Sequence, residues 1–196
     1  MLKGDKEFIN LKIHTQYSIC EGAIKIDELA NYCKINKIKA IGLADSLNLC
    51  GALEFAEKIS KVGTQPIIGT QLNIKLEEIT GKITLYAVSE EGYKNLTKLS
   101  SKSYLKNQES DQPYCEIEDI ISNNKDLIIL TGSYRDFFGK LFYANKLKSI
   151  DKIFRKLKSS FNHRLYLEVQ RHNETLEISY ENYLLNVSSI LDIPLI

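Results

Sequence analysis

The sequence lacks an excess of charge of either sign. Its 26 lysines and arginines oppose 25 aspartates and glutamates, which leaves a formal net charge of +1 at pH 7 over 196 residues. Bulk charge therefore provides no attraction for nucleic acid. Any contact with DNA would need a local patch or a covalently attached neighbour.

Cysteine is sparse and scattered. The four cysteines, Cys20, Cys33, Cys50 and Cys115, form no CxxC pair. This spacing argues against a zinc clip and against a thioredoxin-like redox motif. We expect them to be reduced core residues.

Long apolar runs and glycine-rich phosphate loops are also missing. The first residues, MLKGDKEFINLK, are polar, so the sequence predicts neither a signal peptide nor a membrane-spanning helix, and we expect a cytoplasmic protein with no membrane partner. Neither GxGxxG nor GxxxxGK[ST] occurs, which disfavours a small-molecule-binding βα domain. With 10 glycines and 3 prolines the chain shows no sign of disorder. Its length allows one domain or two small ones, and we expect one domain over 1–196.

What the sequence does contain is an alternation of strand and helix patterns from residue 8 onward. A strand is predicted over 8–14. The helix that starts near residue 51 is expected to bury Leu53, Phe55, Ala56 and Ile59. Farther on, 65–76 and 82–89 are predicted strands joined by a hairpin-like connection.

The second half continues this alternation. A helix from residue 90 carries Tyr93, Leu96 and Leu99 as expected core residues, and 136–160 is predicted to be helical. The final residues, IPLI, resemble the opening of a seventh strand, so the chain is expected to be cut at its C-terminus. Repeated βα units favour a parallel sheet, either doubly wound or closed into a barrel, and periodicity alone does not choose between them.

Polar residues follow several of the predicted strands. They are His14, Asp45, Ser46 and Ser133, with Gln71 inside a strand. In a barrel the carboxyl ends of all strands face one mouth, so these side chains would converge there. In an open sheet they would be spread along an edge.

Five segments in register resemble one known family: LKIHTQYSICEGA, LADSLNLCGALEF, PIIGTQL, EEGYKNLTKLSSKSY and LYLEVQRH. Together they are similar to the N-terminal polymerase and histidinol phosphatase (PHP) domain of bacterial DNA polymerase III alpha subunits. The resemblance implies an α/β fold, a distorted (β/α)7 TIM-like barrel, here truncated before its final strand and without the polymerase palm, fingers and thumb. In active members, clustered histidines and carboxylates hold several divalent metals, often zinc or manganese, for phosphoester hydrolysis.

The resemblance can be carried over position by position. The first histidine of the family's LHxHS segment is Lys12, and the second is retained as His14. The acidic ligand downstream corresponds to Glu21. In the family's TDHGN segment Asp45 is kept, but the following histidine is Ser46.

The later positions depart further from the pattern. The glutamate of the family's GxE segment is Gln71, and the histidine that opens the fourth strand is Lys82. Ser133 stands where some members place a cysteine or histidine. The last aspartate and histidine of the pattern would lie beyond Ile196.

Only His14 and Glu21 remain as plausible ligands, because a charged lysine has no lone pair and amide or hydroxyl oxygens are poor replacements for imidazole. We therefore predict no metal cofactor and no phosphoesterase activity. As a hypothesis, Lys12 and Lys82 replace the charge of the metal by pairing with Glu21 and Asp45, since a buried carboxylate without a partner is costly.

The resemblance implies a structural and docking role in a replicase, with the proofreading exonuclease subunit and other replicase subunits as partners. DNA would be bound through the parent polymerase, a nucleotidyltransferase whose catalytic aspartates lie far downstream in its sequence. A metal-dependent phosphoesterase or 3′–5′ exonuclease with a reduced zinc or manganese site is the alternative.

Simpler interpretations exist for several of these residues. Outside the family context His14 is more often structural than a ligand, and Asp45 is as readily explained as the cap of the helix that follows it. Arg171 and His172 fit an exposed loop as well as a phosphate contact. The lysines of 146–158 are better explained as a solvated helix face than as a DNA contact.

Overall fold

The structure is a computed structural model that describes residues 8–106 and 112–196. In chain order the elements are α1 (Ile26–Asn36), β1 (Ala40–Ser46), α2 (Ala52–Lys61), β2 (Gln65–Leu76), β3 (Ile79–Ala87), α3 (Glu90–Lys106), α4 (Ile117–Ser122), β4 (Leu127–Leu130), α5 (Phe137–Tyr143), α6 (Leu147–Phe161), β5 (Leu165–Tyr166) and α7 (Thr175–Leu191). Within the described residues the strands form a five-stranded sheet in the order β1-β2-β3-β4-β5.

The chain divides into two compact units, Met1–Gly69 (unit 1) and Thr70–Ile196 (unit 2). The predicted α/β class is confirmed, and the described residues form no closed barrel. The prediction of one domain over 1–196 stays a prediction. Among the described residues, no helix combines the length and the apolar character needed to cross a membrane.

Unit 1 is built around the apolar sides of α1 and α2. Its core is a cluster of buried side chains that includes Ile13, Ile26, Cys33, Phe55 and Ile59. The expected burial of Leu53 is wrong, because this side chain is 71% exposed, while Ala52 is buried instead. The apolar periodicity predicted which side of α2 is buried, but not which residues lie at the edge of that side.

In place of the predicted strand over 8–14, the structure has only isolated pairing with β1. Ile13 forms an isolated parallel bridge with Leu43 of β1, and the amide of Gly42 donates to the carbonyl of Asn10 at 2.8 Å. A Cβ at Gly42 would lie 2.1 Å from the carbonyl oxygen of Leu11. Only glycine permits this approach, which brings the residues that follow Ile13 against β1.

Unit 2 carries the mixed part of the sheet. The predicted hairpin is confirmed as a two-residue connection between β2 and β3, with Glu77 in the left-handed region at φ 53°. β3 pairs antiparallel with β4, and β4 pairs parallel with β5. The pattern of a short strand after α7 is matched by a parallel bridge between Leu167 and Leu195.

The predicted helical stretch 136–160 is two helices. Asn145, between α5 and α6, adopts a left-handed conformation at φ 56°, which ends the first helix. Phe138 and Phe154 pack between the two helices, with stacked rings whose centroids are 4.5 Å apart. On α3, Leu96 and Leu99 are buried as expected, but Tyr93 is 37% exposed, so its assignment to the core is wrong.

Candidate functional site

The candidate site of unit 1 lies where residues 14–21 meet the carboxyl end of β1. Asp45 is fully buried and accepts hydrogen bonds at both carboxylate oxygens. The Thr15 amide donates to Oδ1 at 2.6 Å and the Thr15 hydroxyl to Oδ2 at 2.7 Å. These contacts hold the residues after Ile13 against the end of β1. They are strong because the acceptor is a charged carboxylate.

One buried hydroxyl, that of Ser18, joins three of the neighbouring groups. Its Oγ donates to Asp45 Oδ1 at 2.6 Å and accepts from the Ser46 amide at 3.0 Å. His14 Nδ1 lies 3.3 Å from the same oxygen. Because the single hydroxyl proton goes to the carboxylate, this network assigns a ring proton to His14 Nδ1, which makes the histidine a donor to Ser18.

Glu21 and Ser46 contact each other directly. The Ser46 hydroxyl donates to Glu21 Oε2. Ser46 is nearly buried, so its hydroxyl proton is directed to this carboxylate in a partly shielded environment. Unit 1 therefore brings together His14, Glu21, Asp45 and Ser46, four of the positions predicted from sequence.

The same segment is tied to α2 through Tyr17. Its hydroxyl donates to Glu54 Oε2 at 2.7 Å, and Lys58 donates to Glu54 Oε1 at 2.7 Å. Lys58 also pairs with Asp27 of α1 at 2.6 Å. The hydrogen bonds from Lys58 and then from Tyr17 lower the pKa of Glu54, while the bond to Glu54 raises the pKa of Tyr17.

Of the remaining predicted positions, Lys12 lies in unit 1, where its backbone amide donates to Asn10 Oδ1 at 3.3 Å, and the other three lie in unit 2. Gln71 is buried in β2 and its amide lies 3.3 Å from the Thr84 hydroxyl of β3. Lys82, two residues before Thr84, lies on the same face of β3 because side chains alternate along a strand. Ser133 follows β4, and its amide and hydroxyl both donate to Asp136 Oδ2, at 2.8 and 3.0 Å.

The basic residues near α6 are largely committed to ion pairs. Lys146 pairs with Glu77 at 2.8 Å and Lys156 with Glu118 at 2.7 Å. On the helix itself, Arg155 pairs with Asp151 at 2.9 Å. These pairs neutralise much of the positive charge and favour the interpretation of a solvated helix face over a phosphate contact.

One alternative suggested by the sequence is wrong. Asp45 does not cap α2, because that helix has Gly51 at its N-cap and no side-chain cap hydrogen bond. The carboxylate instead accepts from Thr15 and Ser18. The sequence analysis did not identify these two hydroxyl groups as partners of Asp45. Both follow His14 closely in the segment HTQYS.

Comparison with known proteins places the chain in a family. The family model of the PHP domain matches residues 10–172. The chain belongs to the PHP domain family.

Relatives carry the same region within much longer proteins. The chain is 38% identical over 191 residues to the DNA polymerase III subunit alpha of Rickettsia felis, covering 97% of this chain and 16% of that protein. It is 34% identical over 199 residues to the Caulobacter vibrioides subunit, covering 96% of this chain and 17% of that protein. The Vibrio cholerae subunit is 30% identical over 196 residues, covering 98% of this chain and 17% of that protein. The chain thus spans about one sixth of the length of these relatives.

Solved structures share the fold. A protein described as a metal-dependent phosphoesterase from Bifidobacterium adolescentis matches with a TM-score of 0.62 at 12% identity, over 95% of this chain and 85% of that one. An amidohydrolase from Chromobacterium violaceum, solved with bound sulfate and no metal, matches with a TM-score of 0.59 at 10% identity, over 95% and 84%. At these identities the comparison concerns the fold alone.

The residues of unit 1 do not fit the metal cluster that the fold family implies. A zinc ion needs lone pairs from imidazole, thiolate or carboxylate at about 2.0–2.3 Å. Here the Ser46 hydroxyl donates a hydrogen bond to Glu21, and the oxygens of Asp45 accept hydrogen bonds from Thr15 and Ser18. Over residues 8–106 and 112–196, no group of three histidine, cysteine, aspartate or glutamate side chains is arranged to hold a metal ion.

Proposed function

We propose that the chain is the PHP domain of a replicative DNA polymerase III alpha subunit, in which it has a structural and docking role and no catalytic site of its own. The similarity to three such subunits over almost the whole chain supports the parent protein. DNA polymerisation, a nucleotidyl transfer, would then belong to the remaining five sixths of the parent. A cytoplasmic location accords with such a role.

The observation that carries the inactive site is the contact between Ser46 and Glu21. Hydrolysis of a phosphodiester near neutral pH needs a cation that turns a bound water into a nucleophile. At this position the domain has a hydroxyl that donates a hydrogen bond to the neighbouring carboxylate. Two further positions of the family's ligand pattern are Lys12 and Lys82, whose ammonium groups have no lone pair for a metal ion.

A hydrolysis assay tests this part of the proposal. The chain is incubated with a chromogenic phosphodiester and with single-stranded DNA, in the presence of zinc or manganese. We expect no turnover above that of a Glu21→Gln variant, which lacks the carboxylate of the candidate ligand pair His14 and Glu21. Metal-dependent cleavage that disappears in Glu21→Gln would instead establish the alternative, a phosphoesterase or 3′–5′ exonuclease with a reduced ligand set.

The docking role is tested separately. We propose the separate proofreading exonuclease subunit as the partner, because a domain without chemistry is retained most simply for what it binds. Calorimetric titration of the chain with that subunit from the same organism is expected to show saturable 1:1 binding. Absence of binding at micromolar concentrations would exclude this partner for the isolated domain.

A further inference from the structure

A small cavity in unit 2 is lined by a buried tyrosine whose hydroxyl has no hydrogen-bond partner among the described residues. The cavity has a volume of about 10 Å³ and is lined by Ser133, Glu168, Gln170, Glu177, Tyr180 and Glu181, among others. Tyr180, on α7, is 3% exposed, and its hydroxyl makes no hydrogen bond to any described residue. Burial raises the pKa of this tyrosine, so the group is a neutral donor.

The volume of the cavity restricts its occupant. About 10–15 Å³ corresponds to one water-sized sphere, so there is room for a single small species. A buried hydroxyl that lacks a partner is destabilising by roughly 1–3 kcal/mol, so an occupant that accepts its hydrogen bond is favoured. A water molecule is small enough for the cavity and can accept the hydrogen bond of the hydroxyl.

A metal ion fits less well because the neighbouring carboxylates have other partners. Both oxygens of Glu177 accept from the His172 amide at 2.8 Å, and one of them also accepts from Glu174. Glu181 forms a two-point ion pair with Arg171, at 2.5 and 3.1 Å. A divalent cation would have to displace these donors to obtain its six or more oxygen ligands.

We propose that the cavity binds one ordered water molecule, which accepts a hydrogen bond from the Tyr180 hydroxyl and donates one to the carboxylate of Glu168. Glu168 is 7% exposed and lies on the segment after β5. The water therefore links α7 to the residues that extend β5. Ser133, at a position where some family members place a metal ligand, lines the same cavity.

Two measurements test this site. A crystal structure of the chain at about 1.5 Å or better should show one water within roughly 2.6–3.2 Å of Tyr180 Oη. In urea unfolding, Tyr180→Phe should raise the unfolding equilibrium constant about fivefold, because the bridge is lost. The control Tyr183→Phe, at a half-buried tyrosine on the same helix, should change it by less than about twofold.

Either measurement can overturn the proposal. A cavity without density, or a species coordinated by several oxygens at about 2.3–2.6 Å, would show that no water is bound or that a cation is. A Tyr180→Phe protein as stable as the parent, or more stable, would show that the hydroxyl has no partner in the folded state. The crystal structure of the parent chain gives its answer even if the variant does not fold.

Discussion

The hydroxyl of Ser46 donates a hydrogen bond to the carboxylate of Glu21, at two positions where active PHP domains are expected to bind metal. Two side chains that bind the same zinc ion each direct a lone pair at it from about 2 Å. Here a proton lies between the two side chains instead. The local chemistry of this domain is that of a hydrogen-bonded network, in which Ser18 connects His14, Asp45 and the Ser46 amide.

Replacing Ser18 by alanine should destabilise the chain by about 2–3 kcal/mol, since it removes a donor from the buried Asp45 carboxylate and an acceptor from the Ser46 amide. The measurement is urea unfolding followed by circular dichroism. Ser60→Ala, at an exposed serine of α2, is the matched control and should be within about 0.5 kcal/mol of the parent. Equal effects of the two substitutions would refute the role of Ser18.

Lys12→Ala tests the hypothesis that lysine replaces the charge of the metal. If the Lys12 ammonium stabilises Glu21 and Asp45, we expect a loss of about 1 kcal/mol, or roughly 2–4 °C in Tm at neutral pH. Lys61→Ala, which removes an exposed lysine at the end of α2, should leave Tm unchanged. An unchanged Tm in Lys12→Ala would show that the hypothesis is wrong.

Restoring imidazoles should restore metal affinity. His14 and the Ser46 backbone both contact Ser18 Oγ, and the Ser46 side chain reaches Glu21, so three of the ligand positions already lie close together. The family pattern adds position 12, so the double variant Lys12→His/Ser46→His is designed to supply two imidazoles beside His14 and Glu21. We expect it to bind zinc with at least a tenfold lower Kd than the single variant Lys12→His, measured by competition with a chromophoric chelator. Equal affinities would mean that these positions do not converge on a common ion.

The network of Tyr17, Glu54 and Lys58 predicts a loss of stability in acid. The folded-state pKa of Glu54 is lowered by Lys58 and Tyr17, so its contribution is fully present above the ordinary glutamate pKa of about 4.3 and disappears as the pH falls through the lower folded value. Urea midpoints measured from pH 7 to pH 3 should fall more steeply in the parent chain than in Glu54→Gln. The control is Glu57→Gln, at an exposed carboxylate of the same helix, which should follow the parent. Parallel curves for the parent and Glu54→Gln would contradict the prediction.

Much of the fold was predictable because local patterns are strong. The bounds of β2 coincide with the predicted strand 65–76, which begins shortly after Gly63, a glycine with positive φ. The break between α5 and α6 was not predicted, since the apolar period runs through it and only the left-handed Asn145 ends the helix. Likewise, the exposure of Leu53 depends on which neighbours cover the edge of α2, and periodicity carries no information about that.

The candidate site was predictable only in its positions. The family resemblance identified His14, Glu21, Asp45 and Ser46, and unit 1 brings them together. The roles of Thr15 and Ser18 were not predicted, because a hydroxyl becomes a partner of Asp45 only when the backbone has placed it within 3 Å. Serine and threonine are too common in loops for their presence after a histidine to indicate such a contact.

The most direct test of the central claim is the metal content of the chain. Protein purified without chelator is subjected to elemental analysis and then titrated with zinc and manganese. We expect less than one tightly bound ion per chain, and only weak binding in the titration. Two or more tightly bound ions per chain would contradict the account and would mean that this domain retains a working metal centre.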